Sequence, residues 1–388
     1  MDKKYELTGQ PKLYKSCFKI IKVFRIMALR DFDDVKKGDL GGWIESEDNL
    51  SHEGQCWIYD DAIVCDQAKV DHNAKIRGNA LVAYNAVVTD SAIIGGNAQI
   101  YNNAIVSYAA QVFNDAKIFN NAKVSGNAKV YGHALIAGDV TVYGGANVYG
   151  YAKLSDRASV YGNTLIGGNS ILRDHCEVYG NAKVYGKAEI SGHTRIHEYA
   201  EVFEHSKVCD DAEVYGYANI FGHALIAGDS KVYINAMVFG TSRIYQNAEV
   251  YGNAMVNGCV KIFGDSKVYG APVITDKVQI YDHTEVSSNV NLSGNIKISN
   301  GCIKHHDDYL TLGPIGSRHD MVSFYRGIDN EIHASTGCFS GALKQFEDAV
   351  NKTHKDNEKY RTDYLNLVKF IKERFLKEDN NEEEVRNT

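Results

Sequence analysis

The chain lacks the marks of several common protein classes. Its eight cysteines contain no CxxC pair, so neither a zinc ribbon nor a disulfide framework is expected, and reduced thiols acting as small apolar side chains fit better. Cys176, Cys259 and Cys302 fall on or beside positions where a small residue recurs. No run of about 18 apolar residues occurs and no signal-peptide pattern opens the chain, which leads us to expect a soluble protein of the cytoplasm. Charge of one sign is missing everywhere. Residues 1–57 hold 10 basic and 10 acidic side chains, 58–302 hold 19 and 23, and 303–388 hold 13 and 16. No region can track a phosphate backbone or imitate one, so neither nucleic acid nor membrane is an expected partner. The Gly-punctuated stretch Gly313–Asp320 has no Walker or dinucleotide-binding spacing.

What is present is a beat of six. From Val64 to Ile298 every sixth residue is Val, Ile or Leu, 40 positions without exception. Four residues after each sits a small or slender side chain, most often Ala. Alternate residues of a strand share a face, so Ala128-Lys129-Val130 places Ala and Val inside and Lys outside. Pairs such as Gly126-Asn127 and Gly180-Asn181 then read as tight corners where Gly, Asn or His takes positive φ. Three hexads close one triangular coil, and outward side chains three hexads apart test that. Glu177, Arg195, Glu213, Lys231, Glu249, Lys267 and Glu285 alternate in sign, as stacked neighbours require. Tyr143, Tyr161, Tyr179, His197, Tyr215, Tyr233, Tyr251 and Tyr269 form an aromatic series at the same interval.

The expected fold is therefore mainly β: a parallel β-helix solenoid of 18-residue triangular coils with a small C-terminal α+β domain. The boundaries read as a cap over 1–39, about 14 coils over 40–302, and the C-terminal domain over 303–388. Within the last, 342–351 and 357–377 have the apolar spacing of amphipathic helices.

Few residues offer chemistry. His133, His175, His193, His205 and His223 share one corner position. His175 and His193 are three hexads apart, as are His205 and His223, so each pair is expected to stack; we read them as substitutes for Asn at positive φ and expect no metal. The outward series Leu165, Lys183, Glu201, Asn219, Met237, Met255, Val273 turns apolar at its end. Leu165, Met237, Met255 and Val273 are accordingly interface candidates. In the C-terminal domain, Ser317, Arg318, His319 and Asp320 follow a Gly-punctuated turn able to offer N–H groups and a guanidinium to an anion. Cys338 between glycines, with His354 and Asn357 further on, permits either a thiol site or a plain tight turn. His305-His306-Asp307-Asp308 reads as a solvated junction.

Ala28-Leu29-Arg30-Asp31-Phe32, Gly38–Ser46, the Val-Tyr-Gly-Asn-Ala repeat, Gly313–Asp320, Gly337–Gly341 and Thr353–Asn357 together resemble the hexapeptide-repeat proteins of the YdcK type carried by phages, prophages and bacteria. The resemblance implies a left-handed coil and a mobile-element origin, and hence a bacterial host cytosol; it brings no activity and no catalytic residue. Hexapeptide acyltransferases resemble this chain in the coils only, because in them a loop interrupts the beat near a catalytic His. The expected function is thus a non-enzymatic oligomeric scaffold, as a trimer or else a dimer. Its C-terminal domain would bind a host protein or an anionic small molecule, for instance a nucleotide signal sequestered against a host defence. No catalytic residue, metal or cofactor is assigned. The alternatives are an acyltransferase-like or Cys338-dependent enzyme, and a self-assembling structural protein.

Overall fold

The computed structural model describes residues 3–15, 19–316, 318–337 and 339–386, except the side chains of 10 and 376–386. The chain forms two compact units, residues 1–211 and 212–388.

The first unit begins with an antiparallel hairpin of β1 (Tyr5–Lys15) and β2 (Ile20–Ala28), and β2 pairs antiparallel with β3 (Leu40–Ile44). Here the chain enters a parallel solenoid, with Ile44 paired to Val64. From Ile58, paired with Ile76, the step settles to three hexads. The opening coil is longer because residues 51–56 make an extra turn. Gly54 (φ +66) is required there, since a Cβ would lie 2.1 Å from the His72 carbonyl oxygen. Asn49 fills the same coil. It is buried, accepts the N–H groups of Glu45 and Ser46, and donates to the carbonyls of Asp66 and Ala68.

Each later coil contributes three two-residue strands, such as Lys69–Val70, Lys75–Ile76 and Leu81–Val82. Each N–H at an outward mid-strand position donates to a carbonyl of the next coil, as from Lys75 to Ala92 at 2.9 Å. The aliphatic and small positions are wholly buried, as at Val130 and Ala134. The interior is thus a stack of aliphatic side chains and Ala, with Ser or Thr at some of the small positions.

The corners correct one expectation. Positive φ belongs to the first residue of each corner pair, for example Gly132, Asp174, Gly192, Glu204 and Gly222, and not to His133, His175, His193, His205 or His223 that follow them. Asn is common at the second position for a different reason: its amide joins a ladder between coils. Asn85 donates to Asn103, Asn103 to Asn121 and Asn121 to Asp139, at 2.8–3.1 Å. Asp at the first position is equally useful, because its carboxylate accepts an N–H one coil on, as Asp60 does from Gly78 at 2.8 Å.

The second unit repeats these coils from Ala212, with Glu213 against Lys231 and Lys231 against Glu249. Its last step is shorter than the rest, with Val286 paired to Ile303. Cys302 therefore sits outward opposite Glu285, and Gly301 fills the small inward position that the strict beat assigns to Cys302. An antiparallel sheet follows, ordered β4 (Tyr309–Ile315), β5 (Asp320–Arg326), β6 (Ile332–Thr336), β7 (Phe339–Ala342). Helices α1 (Leu343–Thr353) and α2 (Glu358–Arg386) pack on one face of it through Phe346, Val368, Ile371 and Phe375 against Val322 and Phe324. From the opposite face Tyr325 closes the last coil. Its hydroxyl donates to the Ser299 carbonyl and accepts the Ser299 N–H, both at 3.1 Å.

Candidate functional site

The C-terminal sheet gathers several of the expected ligand-binding residues at one end. The turn from β4 to β5 carries Gly316 at φ +71, and the Tyr364 hydroxyl of α2 lies where its Cβ would be, at 2.2 Å. Arg318 follows, exposed, with its guanidinium against Gly337, whose Cβ would stand 3.1 Å from Nη2. Its Nε is 3.9 Å from the Asp320 carboxylate. Lys297, from the last coil, donates to the Gly337 carbonyl at 3.2 Å. His354 ends α1 and stacks on the Tyr364 ring at 5.5 Å. Burial pushes the Tyr364 hydroxyl above its ordinary value, with Asp320 acting the same way and Arg318 against it.

Arg318, Asp320 and His354 thus share a neighbourhood that also includes Tyr364, Gly337 and Lys297. His319, exposed at φ +51, belongs to the same turn. Asn357 serves the helix instead, because its side-chain oxygen accepts the Tyr360 N–H at 3.2 Å and caps α2. Ser317 and Cys338 lie outside the described residues. The enclosed space beside Gly337 is small, about 50 Å³, lined by Asn295, Lys297, Asp320, Met321, Ser335, Thr336 and Gly337. That volume holds a water or a small ion, so a larger anion would have to sit on the open side, over Arg318.

A larger depression, about 580 Å³, runs along a corner of the second unit past Asp229, Asn247, Asp265, Asp282 and His283. Its carboxylates disfavour a phosphate ligand. His175 and His193 do stack, at 5.0 Å, but Arg157 lies 3.4 Å from His175 on one side and Asp211 3.5 Å from His193 on the other. At the junction, Asp308 accepts the N–H groups of Lys304 and His305, and Asp307 pairs with Arg374 at 3.1 Å. Among the described residues no three His, Cys, Asp or Glu side chains come together as a metal site. Burial pushes the thiols of Cys65 and Cys176 up to about 12, which leaves both protonated and unreactive at neutral pH.

The interface candidates divide. Met237, Met255 and Val273 occupy consecutive rungs of one outer row of the second unit, half-buried by their neighbours. Leu165, also half-buried, belongs to the first unit. Sequence reasoning missed Ile234, one corner before Met237. A β-branched residue at φ +64 with 46% of its surface exposed is a true backbone outlier. The signal was available, because Ile stands where the beat elsewhere favours Gly, Asp or Asn. Among the described residues no helix is long and apolar enough to cross a membrane.

No family model matches the sequence. Over 62 residues, 15% of this chain, it is 39% identical to the "Uncharacterized acetyltransferase YdcK" of Escherichia coli (strain K12). The match spans about a fifth of that relative's length, 19%. This chain is similar to it in part of its length, and the similarity agrees with a hexapeptide-repeat solenoid.

Proposed function

We propose that this protein is a non-enzymatic scaffold whose copies associate through the Met237–Met255–Val273 row and whose C-terminal domain offers Arg318 to an anionic partner. One observation carries this reading. In both units the interior strands keep an 18-residue step, and the corners are filled by Asn and Asp ladders and by stacked rings. No loop leaves the coils there to shelter a substrate, and the buried thiols are held protonated. The outer row of the second unit, Asn219, Met237, Met255, Val273, Asn291, is free of charge, so a second copy can cover it without stranding an ion. We propose a trimer, with a dimer as the alternative, and a host protein or nucleotide as the partner at Arg318.

Light scattering on the eluting protein gives the subunit number, and a monomer at all concentrations removes the self-association. Calorimetry with cyclic and linear nucleotides, on wild type and Arg318→Ala, tests the anion site. Heat with the wild type that Arg318→Ala abolishes supports it, and no heat with any nucleotide discards sequestration. The partial similarity to a protein named as an acetyltransferase favours one other reading. Release of free coenzyme A from acetyl-coenzyme A, dependent on an added acceptor, would replace the scaffold by an enzyme.

A further inference from the structure

Lys4 is the least expected side chain in the first unit, a lysine with no exposed surface. Its Nζ lies 2.9 Å from the Cys56 carbonyl oxygen, 3.3 Å from the Glu53 carbonyl oxygen and 3.2 Å from Cys56 Sγ. The Phe32 ring covers it at 5.3 Å. Among the described residues no carboxylate pairs with it. A lysine ammonium has three N–H donors. The two carbonyls and the sulfur take the three donors. Burial lowers the lysine from its ordinary value, with Cys56 acting against it. Burial also raises the Cys56 thiol.

We infer that Lys4 and Cys56 are a built modification site, at which hydrogen peroxide links the two side chains through a sulfur–nitrogen bond. Peroxide reaches the site when the N-terminal hairpin opens locally. The Cys56 sulfur attacks one peroxide oxygen and the O–O bond breaks. One water leaves and a sulfenic acid remains, sulfur having lost two electrons and peroxide having gained them. Lys4, in its neutral amine form, then attacks that sulfur through its lone pair, and the S–O bond breaks. The departing hydroxide takes the amine proton as a second water. The protein loses two hydrogens in total, and no further oxidant is needed. A small thiol reverses the link by attacking sulfur and releasing the amine. The bond would tie the first residues of the chain to its opening coil.

Cys176 is the internal control, equally buried and without an amine beside it, and exposed Cys259 reports that oxidant is present. The full-length protein is treated with graded peroxide, then unfolded, digested with trypsin and mapped by mass spectrometry. The expected product is one peptide joining Lys4 to Cys56, two hydrogens lighter than the sum of its parts. Trypsin should fail to cut after Lys4, and dithiothreitol should restore the cut. Lys4→Arg and Cys56→Ser should each abolish the joined peptide. In Lys4→Arg, Cys56 should proceed to sulfinic acid. Absence of the joined peptide at peroxide levels that oxidise Cys259 overturns the inference. So does a wild-type Cys56 found as sulfinic acid beside a normally cleaved Lys4, and so does a joined peptide that retains the extra oxygen.

Discussion

Gly167 supplies the sharpest prediction. It lies one coil beyond Tyr149, and a Cβ there would stand 2.3 Å from the ring carbon Cζ and 2.7 Å from the hydroxyl oxygen. The Tyr149 ring thus lies over the glycine, stacked on Tyr131 at 5.6 Å. Gly167 is not among the left-handed residues, so alanine fits its backbone. A Gly→Ala change at such a site ordinarily stabilises by about 0.4–1 kcal/mol through the unfolded chain. Here the ring must swing away, forfeiting a stack worth about 0.5–1.5 kcal/mol and exposing apolar surface worth about 25 cal/mol per Å². Gly167→Ala should therefore be net destabilising, by about 0.5–1 kcal/mol once the entropic gain is subtracted. In a Tyr149→Ala background the same change should stabilise, giving a coupling of about 1–2 kcal/mol. Urea midpoints at unchanged slope measure all four corners of the cycle. Equal stabilisation by Gly167→Ala in both backgrounds would refute the reasoning.

Other expectations follow from the same geometry. The Tyr59 hydroxyl bonds to Asp34 at 2.6 Å and, with Lys75, holds its carboxyl down to about 2. Because the folded value is depressed, that contribution is full above about pH 4, the ordinary carboxylate value, and fades as pH falls toward 2. The advantage of wild type over Asp34→Asn in melting temperature should be constant from neutral pH to that point and shrink below it; an advantage growing in acid contradicts the assignment. Ser170 Oγ is buried with no partner, whereas Ser230 Oγ donates to the Ala227 carbonyl at 2.7 Å. Ser170→Ala should stabilise by about 1 kcal/mol and Ser230→Ala destabilise by a similar amount, as read from urea midpoints. Met255→Glu should shift the assembled protein to monomer in light scattering, because it buries an unpaired carboxylate in the proposed contact.

The coils were legible because each inward position repeats a size requirement forty times over. Their ends were not, since the long step from Ile44 to Val64 and the short one from Val286 to Ile303 depend on local turns that leave the inward pattern unchanged. The corner reads one position out of place because Gly-Asn satisfies two demands at once, positive φ at Gly and a cross-coil amide at Asn. In the C-terminal domain, Arg318, Asp320 and His354 stood out as chemistry. Their assembly around Tyr364 depends on how α2 crosses the sheet, which no spacing encodes. Asn357 resembled a ligand candidate because helix caps and binding sites favour the same side chain. Lys4 was invisible because its partner, Cys56, is remote in sequence and the two meet only once the hairpin folds onto the opening coil.

Side chains three hexads apart must be stacked neighbours if the coil is right, and Thr141 and Ser159 test this most directly, their hydroxyl oxygens being 2.9 Å apart. Replacing both with cysteine and exposing the folded protein to mild oxidant should give a 141–159 disulfide, located by peptide mapping. The pair Thr141→Cys with Lys153→Cys, on a different face, should stay reduced. Bridging of 141 to 153 with none between 141 and 159 would contradict the coil.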